Sequence, residues 1–276
     1  CSSDLSLWPL SRKNYPKQFM NIKEGRSLLQ ETVVRNMPFC DEFIIVTKES
    51  YRNIVNGQMK AFQSLKYRVV LEGSPKGTAA AIMLGSQFCN QSELVFVVTA
   101  DNLIEGQEYK DAIIRAKELA KQGSIVALGV KPAKKNSNFG YLLRDEENVL
   151  KFIEKIRLDD DESFGYDDGF LWNSGMFLYR AGDLINAARA ICPELYDTCR
   201  MAKRKVAAIR RTVRFSQKVM KDIPQGSIER LIFEKLKDMK VVETAFRWKD
   251  VGNVCDLDEN SSVSHSENVL KNHCED

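Results

Sequence analysis

Two aspartates that follow predicted strands are the residues best suited to hold a metal ion. Asp101 closes a polar turn after residues 94–98, the most strand-like run of the chain, and Asp250 follows another predicted strand. Carboxylates at such positions can hold a hard divalent cation against phosphate oxygens. Taken alone, Asp101 could equally be a turn residue that bonds its own backbone. The sequence therefore indicates a candidate cation site with two widely separated members.

Phosphate binding needs cations and free amides, and three segments could supply them. Lys17 lies beside a proline that restricts the local backbone, and Arg12 lies just upstream. Lys155 ends another predicted strand and is a point charge suited to a sugar phosphate. Gly77 and Thr78 open an alanine-rich predicted helix, whose first amides could face an anion or a base carbonyl. Solvated surface charge and ordinary helix capping are the alternative interpretations.

Polar residues interrupt the predicted strand at residues 170–179. An Asn173 amide and a Ser174 hydroxyl that face a cleft could hydrogen-bond vicinal sugar hydroxyls. Gly140 could likewise bring its backbone close to a sugar ring. A β-bulge with satisfied polar groups is the alternative for Asn173 and Ser174, and an ordinary strand start is the alternative for Gly140.

Composition excludes several kinds of site. The only two histidines are His265 and His273, so a Ser/His/Asp triad, a histidine metal site and a histidine general base are excluded from the main body. Seven scattered cysteines, never spaced as C-x-x-C, argue against a disulfide framework and a zinc knuckle. The net charge of +3 is too small to indicate a nucleic-acid or membrane partner. Chemistry must rest on carboxylates, lysines, hydroxyls and amides.

One basic segment is the exception to this even charge balance. Residues 200–218 contain eight basic and no acidic side chains. The run could be a basic helix for nucleic acid or another anionic partner, although a solvated helix face is favoured. No apolar run approaches the roughly 18 residues that span a bilayer, and no leader opens the chain. A cytoplasmic protein with neither a nucleic-acid nor a membrane partner is therefore predicted.

Alternating strands and helices predict an α/β fold. Up to residue 130 the alternation predicts a mostly parallel sheet with helices on both faces. Strands predicted at 139–143, 149–154 and 170–179 would form an antiparallel extension of that sheet. The later predicted elements are a helical stretch over 181–213, a helix over 227–237 and a strand over 240–246. We expect one domain over residues 1–257, and residues 258–276 to be a linker or the start of a truncated C-terminal region.

Six short motifs follow one another along the chain, and the first reads Leu-Trp-Pro-Leu-Ser-Arg and then Tyr-Pro-Lys-Gln-Phe. Together they resemble the motifs of bacterial mannose-1-phosphate guanylyltransferases, which belong to the sugar nucleotidyltransferase superfamily. The resemblance covers the chain from residue 7 to about residue 257, in segments 7–19, 99–101, 139–141, 154–155, 171–177 and 248–252. It implies the Rossmann-like mixed sheet of the nucleotide-diphospho-sugar transferases.

The resemblance also implies a reaction and a magnesium cofactor. GTP and α-D-mannose 1-phosphate would give GDP-mannose, a nucleotide sugar of polysaccharide biosynthesis, and pyrophosphate. Asp101 and Asp250 would hold Mg²⁺ between the two phosphates, and Arg12 and Lys17 would steady the triphosphate. Lys155 would anchor the sugar phosphate.

The same resemblance assigns the remaining contacts of the ligands. The sugar would be selected by Asn173, Ser174 and the Gly140 backbone, with Glu154 beside them. Gly77 and Thr78 would lie in the region that binds the nucleobase and its phosphates.

Two departures limit these expectations. Residues 1–6 read Cys-Ser-Ser-Asp-Leu-Ser where the family has a strand and a glycine-rich loop of the form G-G-x-G-x-R. We therefore expect the first strand and that loop to be missing, and this polypeptide to have little activity. Residues 72–78 depart from the family's base-binding pattern, so another hexose 1-phosphate or nucleotide stays open. The other alternative is a non-catalytic module that docks through residues 200–218. For the assembly, a homodimer is the candidate.

Overall fold

The computed structural model describes residues 15–23, 25–133, 136, 139–153 and 169–251 of the 276-residue chain, and the structural statements below refer to these residues. The strands are β1 (Asn21–Lys23), β2 (Arg26–Ser27), β3 (Glu42–Lys48), β4 (Lys66–Glu72), β5 (Leu94–Val97), β6 (Asn102–Glu105), β7 (Ile125–Val130), β8 (Tyr141–Asp145), β9 (Asn148–Ile153), β10 (Phe170–Arg180), β11 (Ala208–Ile209), β12 (Thr212–Phe215), β13 (Met239–Thr244) and β14 (Arg247–Asp250). The helices are α1 (Leu28–Asn36), α2 (Arg52–Gln58), α3 (Thr78–Ser86), α4 (Glu108–Lys121), α5 (Ala181–Ile191), α6 (Pro193–Arg204), α7 (Gln217–Met220) and α8 (Ile228–Leu231).

Two larger sheets combine parallel and antiparallel pairing. The six-stranded sheet has the order β5-β10-β7-β13-β9-β8, in which β13 runs parallel to β7 while β10 is antiparallel to β5, β7 and β8. The four-stranded sheet has the order β11-β12-β4-β3, with β3, β4 and β12 parallel. A short antiparallel ribbon joins β6 to β14. The predicted α/β class with an antiparallel extension is confirmed.

Both faces of the six-stranded sheet are covered. Along β7, Ile125 and Ala127 belong to one apolar cluster, while Val126 and Leu128 belong to the cluster on the opposite face. This alternation follows from the two-residue period of a strand. One cluster includes residues of α3, α5 and α6, and the other includes the buried face of α4. Because both faces of β7 are buried, nearly all of its residues must be apolar.

An apolar groove of about 360 Å³ separates β3 from β5. Ile44 and Val46 of β3 line it together with Val95 and Val97 of β5, and residues of α3 complete the wall. Each residue of β5 is partly exposed although its sequence is typical of a central strand. Within the described residues, β3 and β5 are end strands of their sheets. The groove therefore lies between two end strands, β3 and β5, whose apolar sequences are typical of central strands.

The prediction of a helical stretch over residues 181–213 is wrong after residue 204. Helix α6 ends at Arg204, and the chain then forms the β11–β12 hairpin, with Arg210 in the left-handed region at a φ of 55°. The basic residues of the run are consequently distributed over α6, the β11–β12 hairpin and α7. Some of them have local partners, since Arg214 pairs with Glu49 and Arg211 stacks on the Tyr67 ring. The part of the chain that the structure describes has no helix long and apolar enough to cross a membrane.

The helix predicted over residues 227–237 is shorter than expected. It begins with an N-cap at Ser227, whose side chain accepts a hydrogen bond from the Arg230 amide. Helix α8 then ends at Leu231, and a 3₁₀ turn over Phe233–Lys235 follows it.

Helix α3 begins at a glycine whose conformation and surroundings exclude a side chain. Gly77 has a φ of +96°, and a Cβ atom there would lie 2.3 Å from the Gly226 carbonyl oxygen. The same carbonyl accepts a hydrogen bond from the Ala79 amide, and the Gly226 amide donates to the Lys76 carbonyl. At least one amide at the start of α3 is therefore used within the protein. These bonds fix the start of α3 against the segment that precedes α8.

We expect Gly77→Ala to lower the free energy of unfolding by at least about 2 kcal/mol, because the methyl group meets rigid backbone at a strained φ. The matched control is Gly57→Ala in α2, where an added Cβ has no neighbour within 4 Å. That control should be neutral or stabilising by up to about 1 kcal/mol. Urea unfolding measures both, and equal stabilities of the two variants would contradict the packing described for α3.

Candidate active site

A short anchored turn positions Lys17. The turn is a 3₁₀ helix over Lys17–Phe19 that follows Pro16, whose φ is −73°. The Phe19 ring is buried edge-on against Tyr51, with 5.4 Å between centroids. Its carbonyl oxygen also accepts a hydrogen bond from Gln58 Nε2 at 2.8 Å. The core therefore holds the turn, and Lys17 projects from a fixed point.

The Lys17 ammonium lies between the two aspartates identified from the sequence. Its Nζ atom is 3.1 Å from Asp101 Oδ2 and 3.3 Å from Asp250 Oδ1, and it donates to the Val251 carbonyl at 2.7 Å. The lysine side chain is only 3% exposed, while the two carboxylates are 31% and 37% exposed. The ammonium donates hydrogen bonds to Asp250 and to Val251 and forms an ion pair with Asp101. Burial of this charge is balanced by two opposite charges.

Backbone pairing brings the two aspartates together. Strand β14 pairs antiparallel with β6, which places Asp250 opposite Asn102. The Val251 amide donates to the Asp101 carbonyl at 3.2 Å. Asp250 is the last residue of β14 rather than a residue that follows a strand, and β6 and β14 were not predicted. The two carboxylates converge on one ammonium, and their role as metal ligands stays a prediction.

The chemistry of this pair fits magnesium. Mg²⁺ is commonly bound through one or two carboxylates together with substrate phosphates, rather than by a complete protein cage. Among the residues that the structure describes, no group of three or more His, Cys, Asp or Glu side chains could hold a metal ion alone. Two partly exposed carboxylates therefore suit an ion that shares its coordination with a bound polyphosphate.

The polar interruption in β10 is a bulge, as the alternative interpretation held. The pairing of β10 with β7 shifts register after Asn173, and Gly175 has a φ of +73°. Ser174 is 3% exposed, and its hydroxyl donates to the Leu128 carbonyl at 2.6 Å while accepting from the Met176 amide. The Ser174 hydroxyl is thus used to hold the bulge. Asn173 is the partly exposed member of the pair.

Glu229 joins the bulge to the start of α3, a role that no motif in the sequence indicates. One carboxylate oxygen accepts from Asn173 Nδ2 at 3.3 Å, and the other accepts from Thr78 Oγ1 at 3.5 Å. Thr78 Oγ1 also accepts from the Ile228 amide at 3.0 Å. Thr78, Gly175 and Glu229 all line the groove. The predicted base-binding and sugar-binding segments are therefore neighbours.

An aromatic cluster connects the aspartate ribbon to the predicted sugar-binding segments. The Phe139 ring lies 5.2 Å from Trp172 and 5.0 Å from Trp248, between centroids. Trp248 belongs to β14 and Trp172 to β10. The Gly140 carbonyl accepts from the Asn173 amide at 2.8 Å, so this glycine backbone is tied to the bulge.

Three predicted site residues lie outside the described residues. They are Arg12, Glu154 and Lys155.

A buried carboxylate ends strand β4. Glu72 is 6% exposed, and its Oε1 atom has no hydrogen-bond partner among the described residues. Burial raises the pKa of this carboxyl group from its ordinary value of 4.5 to about 7. The folded state therefore binds this proton more tightly than the unfolded state. Its contribution to stability is present below pH 4.5 and is lost as the pH rises through about 7.

We expect Glu72→Gln to match the parent chain near pH 5 and to exceed it in stability near pH 8. The gain should approach about 3 kcal/mol at most, since one pKa unit corresponds to about 1.4 kcal/mol. Thermal unfolding across this pH range measures the effect, with Glu234→Gln at an exposed position as the control. A constant difference between Glu72→Gln and the parent from pH 5 to pH 8 would show that the carboxyl group is not buried as described.

Residues 6–267 match the family model described as Nucleotidyl transferase. The chain is 30% identical to the mannose-1-phosphate guanylyltransferase RfbM of Salmonella typhimurium, over 96% of this chain and 58% of that protein. It is also 30% identical to the alginate biosynthesis protein AlgA of Pseudomonas fluorescens, over 96% of this chain and 59% of that protein. A crystal structure of mannose-6-phosphate isomerase from Helicobacter pylori superposes with a TM-score of 0.82 and 32% identity, over 87% of this chain and 96% of that one. The chain thus spans less than two thirds of the length of these curated relatives, and it belongs to the nucleotidyl transferase family.

Proposed function

We propose that the protein represented by this chain transfers a guanylyl group from GTP to α-D-mannose 1-phosphate. The products would be GDP-mannose and pyrophosphate. The observation that carries the proposal is the convergence of Asp101 and Asp250 beside Lys17 in a nucleotidyl transferase fold. The relatives named as mannose-1-phosphate guanylyltransferases support this choice of substrates.

The proposed reaction requires positioning and charge neutralisation rather than a general base. A phosphate oxygen of the sugar phosphate attacks the α-phosphorus of GTP in line, and the bond to the β-phosphate oxygen breaks to release pyrophosphate. The attacking oxygen is already anionic at pH 7, so no side chain needs to remove a proton. This agrees with a sequence whose only histidines are His265 and His273.

Asp101 and Asp250 would hold the magnesium ion, which supplies neutralisation of phosphate charge when it is bound. Lys17 lies at the same point and would contribute a further positive charge to the triphosphate. Arg12 would act with Lys17, and Lys155 would anchor the sugar phosphate.

The remaining contacts would orient the sugar and the nucleotide. Asn173 and the Gly140 backbone are proposed as sugar contacts, with Glu154 beside them, while Ser174 would act by holding the bulge. Gly77 and Thr78 would lie near the nucleotide. Hydrogen bonds connect these segments to one another, so two reactants bound to them would be held close together at a lower entropy cost.

An additional strand in the groove between β3 and β5 is part of this proposal. The groove is apolar and is bordered by two strand edges of central-strand sequence, which supports the expectation of a further strand with a glycine-rich loop. A cytoplasmic location and a homodimer also stay predictions.

A different specificity is the second candidate function. Residues 72–78 depart from the family pattern in the region predicted to bind the base, so another nucleotide or hexose 1-phosphate is the nearest alternative. A panel of GTP, ATP, UTP and CTP against mannose and glucose 1-phosphates separates the two. A docking module that uses residues 200–218 would need one continuous helical face. The segment does not form one, because β11 and β12 interrupt it.

We expect Asp101→Asn to lower magnesium-dependent pyrophosphate release by about 100-fold or more in the gene product that carries this chain, because one charge of the pair is lost. The measurement follows pyrophosphate and GDP-mannose with GTP and mannose 1-phosphate, after a far-ultraviolet circular dichroism check of folding. Asp111→Asn on the exposed side of α4 is the matched control and should keep the parent rate. Equal turnover by Asp101→Asn and the control would refute the assigned role.

A further inference from the structure

We propose that Lys17 is the resident counter-cation of Asp101 and Asp250, and that it keeps divalent metal ions out of the site until a polyphosphate gives its ammonium other acceptors. The inference rests on the proposed function for the identity of that polyphosphate. It adds that metal binding and nucleotide binding are coupled through one lysine of this chain.

The first support is that the ammonium already occupies the carboxylates. Its Nζ atom lies 3.1 Å from Asp101 Oδ2 and 3.3 Å from Asp250 Oδ1. A metal ion that enters alone must either take over these oxygen atoms or bind next to a fixed positive charge. Both routes weaken its binding, because like charges a few ångströms apart repel strongly at a partly buried site.

The second support is that Lys17 cannot simply swing into solvent. The side chain is 3% exposed and donates to the Val251 carbonyl at 2.7 Å, and Phe19 anchors its turn in the core. An ammonium that lost its carboxylate partners while it remained buried would carry a large desolvation cost. Departure of Lys17 from the aspartates therefore requires new oxygen acceptors within reach.

A triphosphate meets this requirement. Its oxygens accept charge-assisted hydrogen bonds from an ammonium, and they can complete the coordination of Mg²⁺. The two carboxylates are about a third exposed, so a ligand can reach them from the solvent side. Binding of the metal and of the polyphosphate should then strengthen each other by the same factor.

The alternative arrangement makes the opposite prediction. A metal ion could bind the solvent side of both carboxylates while Lys17 continues to bridge them. Lys17 would then hold the two ligands in place, and its removal would weaken metal binding or leave it unchanged.

Mn²⁺ titration without nucleotide, followed by electron paramagnetic resonance, separates these arrangements. Lys17→Met should bind Mn²⁺ at least ten-fold more tightly than the parent chain. Arg247→Met is the matched control, because it removes the same charge from an exposed position on β14, and it should bind like the parent. Adding Asp101→Asn to Lys17→Met should remove the gain. Equal or weaker binding by Lys17→Met, or no detectable binding by any variant up to 10-fold molar excess, would overturn the inference.

A second measurement uses the unmodified chain, so it does not depend on the folding of a variant. Amine acetylation with mass spectrometry compares Lys17 with the exposed Lys60. Lys17 should be protected without metal and should stay protected when Mn²⁺ is added without nucleotide, because its ammonium leaves the carboxylates only when a polyphosphate supplies other acceptors. A gain of Lys17 reactivity with Mn²⁺ alone would overturn the inference, because it would show that the metal displaces the ammonium without a polyphosphate. Failure of the proposed function is a separate result, since it would appear as absence of nucleotide-sugar formation whatever the metal affinities are.

Discussion

One buried ammonium is the interaction on which the candidate site depends. Lys17 contacts a residue that follows β5, a residue that ends β14 and the carbonyl of Val251. Removing one carboxylate from such a group would leave a buried charge only partly compensated, which is strongly destabilising in proteins generally. The positions of these segments are therefore linked to charge balance.

The ribbon that carries the two aspartates and the β10 bulge form one connected unit. Asn102, which follows Asp101, donates from its side-chain amide to the Ser174 carbonyl at 3.4 Å. Trp248 of β14 and Trp172 of β10 both contact Phe139. These contacts pack the aspartate ribbon against the β10 bulge. Such support from packed neighbours is what holds reacting groups in a defined geometry.

Strong local patterns made the fold predictable, whereas contacts between distant segments could not be predicted from one sequence. The apolar run at residues 94–98, the apolar run at residues 170–179 and the alanine-rich segment after Gly77 predicted β5, β10 and α3 correctly. The hairpin β11–β12 was missed because basic and small residues between 205 and 213 fit a helix equally well. Asp101 and Asp250 could be singled out by type and position, but the burial of Ser174 and the bridging position of Glu229 depend on partners remote in the chain.

The central claim is that Asp101 and Asp250 form one divalent-cation site beside Lys17. The most direct test is anomalous diffraction from crystals of the gene product that carries this chain, grown with Mn²⁺ and GTP. The account predicts a manganese peak within coordination distance, about 2.0–2.4 Å, of an oxygen atom of each aspartate, with Lys17 on phosphate oxygens. A manganese peak bound by other residues, with the Lys17 ammonium still between the two carboxylates, would contradict it.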